Sequence, residues 1–116
     1  MLVSRHRFVP ERGYEAWITL NPQAGHEQAG RRPAVVLSPA AYNKKVGLAL
    51  LCPITSQVKD YPFKAMVPPG LKVQEAVLSD HVKCLDWRAR NVTFICKLPA
   101  SFVPGVLAEL NTLLEV

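Results

Sequence analysis

Hydrophobic positions along this chain fall into short pieces separated by polar clusters and prolines. Tyr14–Leu20 (YEAWITL) alternates in part and is rich in aromatic and β-branched residues, which predicts a strand. Pro33–Ser38 (PAVVLS) reads as a buried strand with Pro33 at its first position, where a missing N–H is tolerated. Val46–Ile54 (VGLALLCPI) reads as a second buried strand, entered through Asn43-Lys44-Lys45. Phe63–Val67 alternates, with Lys64 and Met66 opposite Phe63, Ala65 and Val67. Glu75–Ser79 predicts a short strand continued by His81–Leu85, and Val92–Cys96 predicts one more. The period then changes: Phe102, Val103, Val106, Leu107, Leu110, Leu113 and Leu114 recur at helical spacing. A start near Ser101 leaves Pro104 within the first turn, where proline is tolerated. That helix is too short to stand alone and must pack on the strands. The expected fold is β-rich: about five to seven strands and a C-terminal α-helix, forming a curled sheet or small barrel. The 116 residues fit one domain spanning residues 1–116.

Two stretches break this pattern. Asn21–Arg32 (NPQAGHEQAGRR) is a long polar segment with two glycines, ending in paired arginines just before a buried strand. Ser56–Pro62 (SQVKDYP) is a second polar segment, directly after the next buried strand. Long loops in a small domain usually carry function.

Composition sharpens this. The formal net charge is +5, from 14 Lys and Arg against 9 Asp and Glu, which suits a polyanionic partner. No apolar run approaches a membrane span, and the N-terminus (MLVSRHR) lacks the apolar stretch of a secretory signal, so a cytoplasmic location is expected. Cys52, Cys84 and Cys96 are odd in number, form no CxxC pair and have apolar neighbours; they read as reduced core residues. The His81–Cys84 spacing alone makes no metal site.

Arg31 and Arg32, immediately before a buried strand, read either as a planar guanidinium presented to a phosphate or as a solvated pair of surface charges. Thr55 ends the other buried strand with a hydroxyl, and Lys59 adds charge. Tyr61 offers a flat face for an unstacked base, whereas Phe63 reads as core. Glu27 and His26 are candidate proton acceptors in the first segment.

The run GHEQAGRRPAVVLSPAAYN (Gly25–Asn43) closely resembles the signature of the MazF/PemK family of bacterial type II toxins. CPITSQVKDYPF (Cys52–Phe63) and LSDHVKCLDWRAR (Leu78–Arg90) continue it in order, and RFVPERGYEAWITLNP (Arg7–Pro22) is similar to the family's opening strand. The resemblance implies an SH3-like β-barrel with added helix. It also implies a sequence-specific, ribosome-independent endoribonuclease that cuts single-stranded RNA and needs neither metal nor cofactor. A homodimer and a MazE-like antitoxin with an acidic disordered tail are implied as well. By that resemblance Arg32 and Thr55 are catalytic and Glu27 is the candidate base, with His26 as rival. Asn21, His26, Gln28, Arg31, Ser56, Gln57, Lys59, Tyr61, Asp80 and Lys83 are expected along the RNA. Asn21 stands where many members have aspartate, which removes a negative charge. Trp87 is expected in the groove or at a dimer contact. The rivals are a non-catalytic toxin similar to CcdB, which binds gyrase, and an RNA-binding module without cleavage.

Overall fold

A computed structural model describes residues 8–20, 30–56, 61–67 and 75–115. Seven strands and two helices follow in order: β1 (Tyr14–Leu20), β2 (Gly30–Val36), α1 (Ala40–Val46), β3 (Leu48–Thr55), β4 (Lys64–Met66), β5 (Ala76–Leu78), β6 (Lys83–Asp86), β7 (Thr93–Lys97) and α2 (Phe102–Leu114). All are antiparallel where they pair, in the order β4-β5-β3-β2-β1-β7, with β6 beside β3. β5 and β6 lie on the same side of β3. The residues between them carry the chain round as a turn from Val77 opposite Ile54 to Lys83 opposite Leu51.

β1 has the predicted bounds, and α2 starts one residue after Ser101 with Pro104 in its first turn. Two expectations change. The strand order is an open path among the described residues, with β4 and β7 at its ends, where a closed SH3-like barrel was expected. β4 is only 3 residues long and pairs on one edge, which gives a short end to the ladder. The Asn43-Lys44-Lys45 entry is also helical. Ala40–Val46 makes two turns after Pro39 and ends at Gly47, whose φ of 81° places it in the left-handed region. Asn43 is its only buried residue, so no apolar stripe announces this helix.

Strand alternation builds two cores, one on each side of the sheet. Ala16, Ile18, Leu20, Ala34, Val36, Ala49 and Leu51 form the first with Trp87 and Val92. Val35, Leu37, Cys52, Ile54 and Val77 form the second, covered by Val103 and Val106 of α2. Burying each such aliphatic side chain contributes roughly 1.5–3 kcal/mol. Asn43, fully buried, ties the edge of the first core. Its amide donates to the carbonyls of Pro10 (2.7 Å) and Ser38 (3.0 Å) and accepts from the Ser38 hydroxyl (2.6 Å). Its backbone carbonyl accepts from Trp87 Nε1 at 2.9 Å. Trp87, 4% exposed, is therefore a core residue and not the groove or dimer contact expected of it.

Candidate active site

β2 opens at Gly30, whose φ of 77° turns the chain into the strand immediately before the paired arginines. Successive side chains of a strand point to opposite faces, so Arg31 and Arg32 separate there. Ala34 stands opposite Pro53, and Val36 opposite Leu51. Arg32 and Thr55 each lie two residues beyond the Ala34–Pro53 pair, the last at that end of the β2–β3 ladder. Both lie an even number of residues from Val36 and Leu51, which belong to the first core, so both share that face. Thr55 is 3% exposed and Arg32 is half-buried. Lys83, opposite Leu51, lies on the same face four residues along β3 from Thr55. Ser56 is exposed at the end of β3. The geometry thus gathers Arg32, Thr55 and Lys83 on one face, with Ser56 at its rim.

Arg31 points the other way. Its Nη1 donates to Thr19 Oγ1 (3.1 Å) and its Nη2 to Asn91 O (2.9 Å) and Thr93 Oγ1 (3.0 Å). These bonds join β2 to β1 and to the start of β7. Beside it, Arg90 accepts the Thr19 N–H on its carbonyl (3.1 Å) and directs Nη1 to the Thr19 carbonyl (3.4 Å). Arg90 thus adds a cation at the end of β1 where Thr19 pairs with Arg31, and the sequence reading did not single it out.

Tyr61 and Asp80 meet elsewhere. The Tyr61 hydroxyl donates to Asp80 Oδ2 at 2.6 Å and lies 3.0 Å from His81 Nε2. Its ring stands edge-on to His81, centroids 5.8 Å apart. Burial, then the bond to Asp80, pushes the Tyr61 hydroxyl up to about 12, so it stays protonated at any ordinary pH. His81 was not singled out as a site residue, and its spacing to Tyr61 in the sequence gives no sign of the contact. Asn21, His26, Glu27, Gln28, Gln57 and Lys59 lie outside the described residues.

The cysteines divide. Cys52 is buried, its thiol pushed up to about 12 by burial and then by the Asp80 charge, and Cys96 is half-buried beside Glu15. Cys84 is exposed on β6, contrary to the core role expected of it, because the outward positions of an edge strand face solvent. No helix among the described residues is long and apolar enough to cross a membrane.

Three comparisons bear on this arrangement. Residues 11–114 match the model of the PemK-like, MazF-like toxins of type II toxin–antitoxin systems. The chain is 41% identical over 108 residues to the endoribonuclease toxin MazF of Escherichia coli K12, covering 93% of this chain and 96% of that one. The fold superposes on the crystal structure of MazF from Deinococcus radiodurans with a TM-score of 0.86 and 48% identity, over 92% of this chain and 97% of that chain. A MazE–MazF crystal structure from the same organism gives a TM-score of 0.81, again at 48% identity, over 92% of this chain and 96% of that chain.

Proposed function

This chain belongs to the PemK-like, MazF-like family of type II toxin–antitoxin toxins, and on that premise we propose that it is an endoribonuclease. It cuts single-stranded RNA at short sequence motifs, without the ribosome. A MazE-like antitoxin is its partner. What supports the reading is that Arg32 and Thr55 stand on neighbouring antiparallel strands, each two residues past the Ala34–Pro53 pair and on the face of the first core, which Lys83 shares.

RNA supplies its own nucleophile. The 2′-OH attacks the adjacent phosphate, the bond to the 5′-oxygen breaks, and the products are a 2′,3′-cyclic phosphate and a free 5′-OH. Neither metal nor cofactor is required. The protein must hold the 2′-OH in line, take its proton, stabilise the phosphorane and return a proton to the leaving oxygen. Arg32 binds the phosphate and stabilises the phosphorane. A guanidinium stays charged at neutral pH, so its part is electrostatic, not that of a base. Thr55 is short and fixed by burial, and it orients the same phosphate. Glu27 takes the proton, with His26 as the rival base. Ser56, Lys83 and the polar residues Asn21, Gln28, Gln57 and Lys59 lie along the flanking nucleotides.

The finer features follow the family premise. The chain forms one domain over residues 1–116, its sheet curls in SH3-like fashion around the two cores, and it acts as a cytoplasmic homodimer. The net charge of +5 favours both RNA and the acidic tail of an antitoxin.

Digestion of a long unstructured RNA tests the activity, and mapping the 5′ ends of the fragments gives the motif. Deoxyribose placed only at the scissile nucleotide is expected to abolish cleavage, and excess chelator to leave it intact. Cleavage of the deoxy substrate overturns the 2′-OH mechanism. An intact RNA leaves a binding module or a gyrase-directed toxin.

A further inference from the structure

The Tyr61 hydroxyl holds two partners at once. Its proton goes to Asp80 Oδ2 at 2.6 Å, so the 3.0 Å contact with His81 requires Nε2 to carry a proton and donate it to the phenol oxygen. His81 Nδ1 is buried with no hydrogen-bond partner among the described residues. Asp80 and His81 sit in the turn between β5 and β6, and that turn is bolted down. The Ser79 N–H donates to Phe63 O (2.9 Å) and the His81 N–H to Leu78 O (3.0 Å). The Ser79 hydroxyl donates to Glu109 of α2 (2.6 Å), and the Cys52 thiol reaches Ser79 O (3.7 Å). The turn is therefore the anchor and Tyr61 the tethered party. Tyr61 precedes β4 on the chain that leaves β3 at Thr55 and Ser56, and the turn itself leads directly into Lys83.

We infer that Tyr61, Asp80 and His81 form a positioning latch for RNA binding: they fix Tyr61, just ahead of β4, against the turn that delivers Lys83. None of the three touches the reacting atoms. The inference rests on the reading of Thr55, Ser56 and Lys83 as substrate-facing. A latch of this kind orders the binding surface before RNA arrives, so it acts on KM and leaves kcat alone.

The test is steady-state cleavage of a short single-stranded RNA taken from a site that the wild type cuts. Tyr61→Phe and Asp80→Ala should each raise KM by about three- to tenfold, the range of one hydrogen bond, with kcat within about twofold of wild type. The double variant should be no worse than the worse single one, because both remove the same tie. His81→Leu should behave like Tyr61→Phe, whereas His81→Gln, which keeps an N–H donor, should stay near the wild-type KM. Unchanged KM in the single variants, a fall in kcat at constant KM, or effects that multiply in the double variant overturn the latch. Amide exchange at Ser79, whose N–H is bonded to Phe63 O, reads the latch in the free protein without cleavage. Tyr61→Phe should speed it by about threefold or more, and equal rates overturn the proposal. A wild type that cuts no RNA while Tyr61→Phe still speeds exchange rejects the nuclease reading and retains the tie.

Discussion

The two faces of the sheet at the start of β2 carry the same chemical group to opposite ends. On one face lie Arg32 and Thr55, near the ends of neighbouring strands, with the first core behind them and Lys83 farther along β3. On the other, Arg31 spreads its guanidinium over Thr19, Asn91 O and Thr93 and knits β1, β2 and β7 together. Glu15 lies on this second face too, 5% exposed, with its carboxylate accepting from the Cys96 thiol at 3.4 Å. One residue of strand parity separates the guanidinium that knits three strands together from the one proposed to bind phosphate. A basic dipeptide in a sequence therefore has no single role; the pleat distributes it.

The sharpest test of this contrast is Arg32→Ala. It should lower cleavage by on the order of 10²–10³, the usual cost of removing one donor to a developing oxyanion, in a protein that remains folded. Retained cleavage would remove Arg32 from the site. Thr55→Val keeps the shape and removes the hydroxyl. We expect cleavage to drop by about tenfold or more, with some loss of stability from the unmet partner of a buried polar group. Activity at the wild-type rate would show that the hydroxyl only satisfies the fold.

Arg31→Ala should do the reverse of Arg32→Ala. Three hydrogen bonds at an exposed position are lost, for a cost of about 1 kcal/mol in chemical denaturation, and kcat for the folded protein should stay within about threefold. If cleavage collapses at full stability, the division between the faces fails.

Glu15 gives the smallest effect and fixes a sign. Burial raises its carboxyl above the ordinary value, opposed by the Cys96 hydrogen bond and aided by the Glu75 charge. Because the folded value is the higher one, the protonated form favours the folded state. That contribution is complete in acid, below the unfolded value, and is lost as pH rises through the folded value. Glu15→Gln mimics the protonated form, so it should raise the melting temperature at neutral pH and lose the advantage in acid. An advantage that grows in acid would contradict the burial argument.

Sequence alone carried much of this. YEAWITL marked β1 because aromatic and β-branched residues alternate there, and the spacing from Phe102 to Leu114 marked α2. Strand-edge position marked the two polar segments, and the resemblance of three collinear blocks to one family singled out Arg32 and Thr55 within them. α1 was not legible, since it buries only Asn43 and shows no periodic apolar stripe. Nor was the contact of Tyr61 with Asp80 and His81, which depends on a turn of the β5–β6 connection reaching across to the chain before β4.

Local pattern determined which segments are strands, that the helix is last, and that basic and polar residues gather at two strand ends. These depend on side-chain periodicity and charge, which a sequence displays directly. Only the tertiary structure decided that Arg31 and Arg32 serve different faces, that Trp87 is core, and that Tyr61 is tied by its hydroxyl. Each depends on register and on partners far along the chain, and register is set when strands pair and cores fill, not by any one segment.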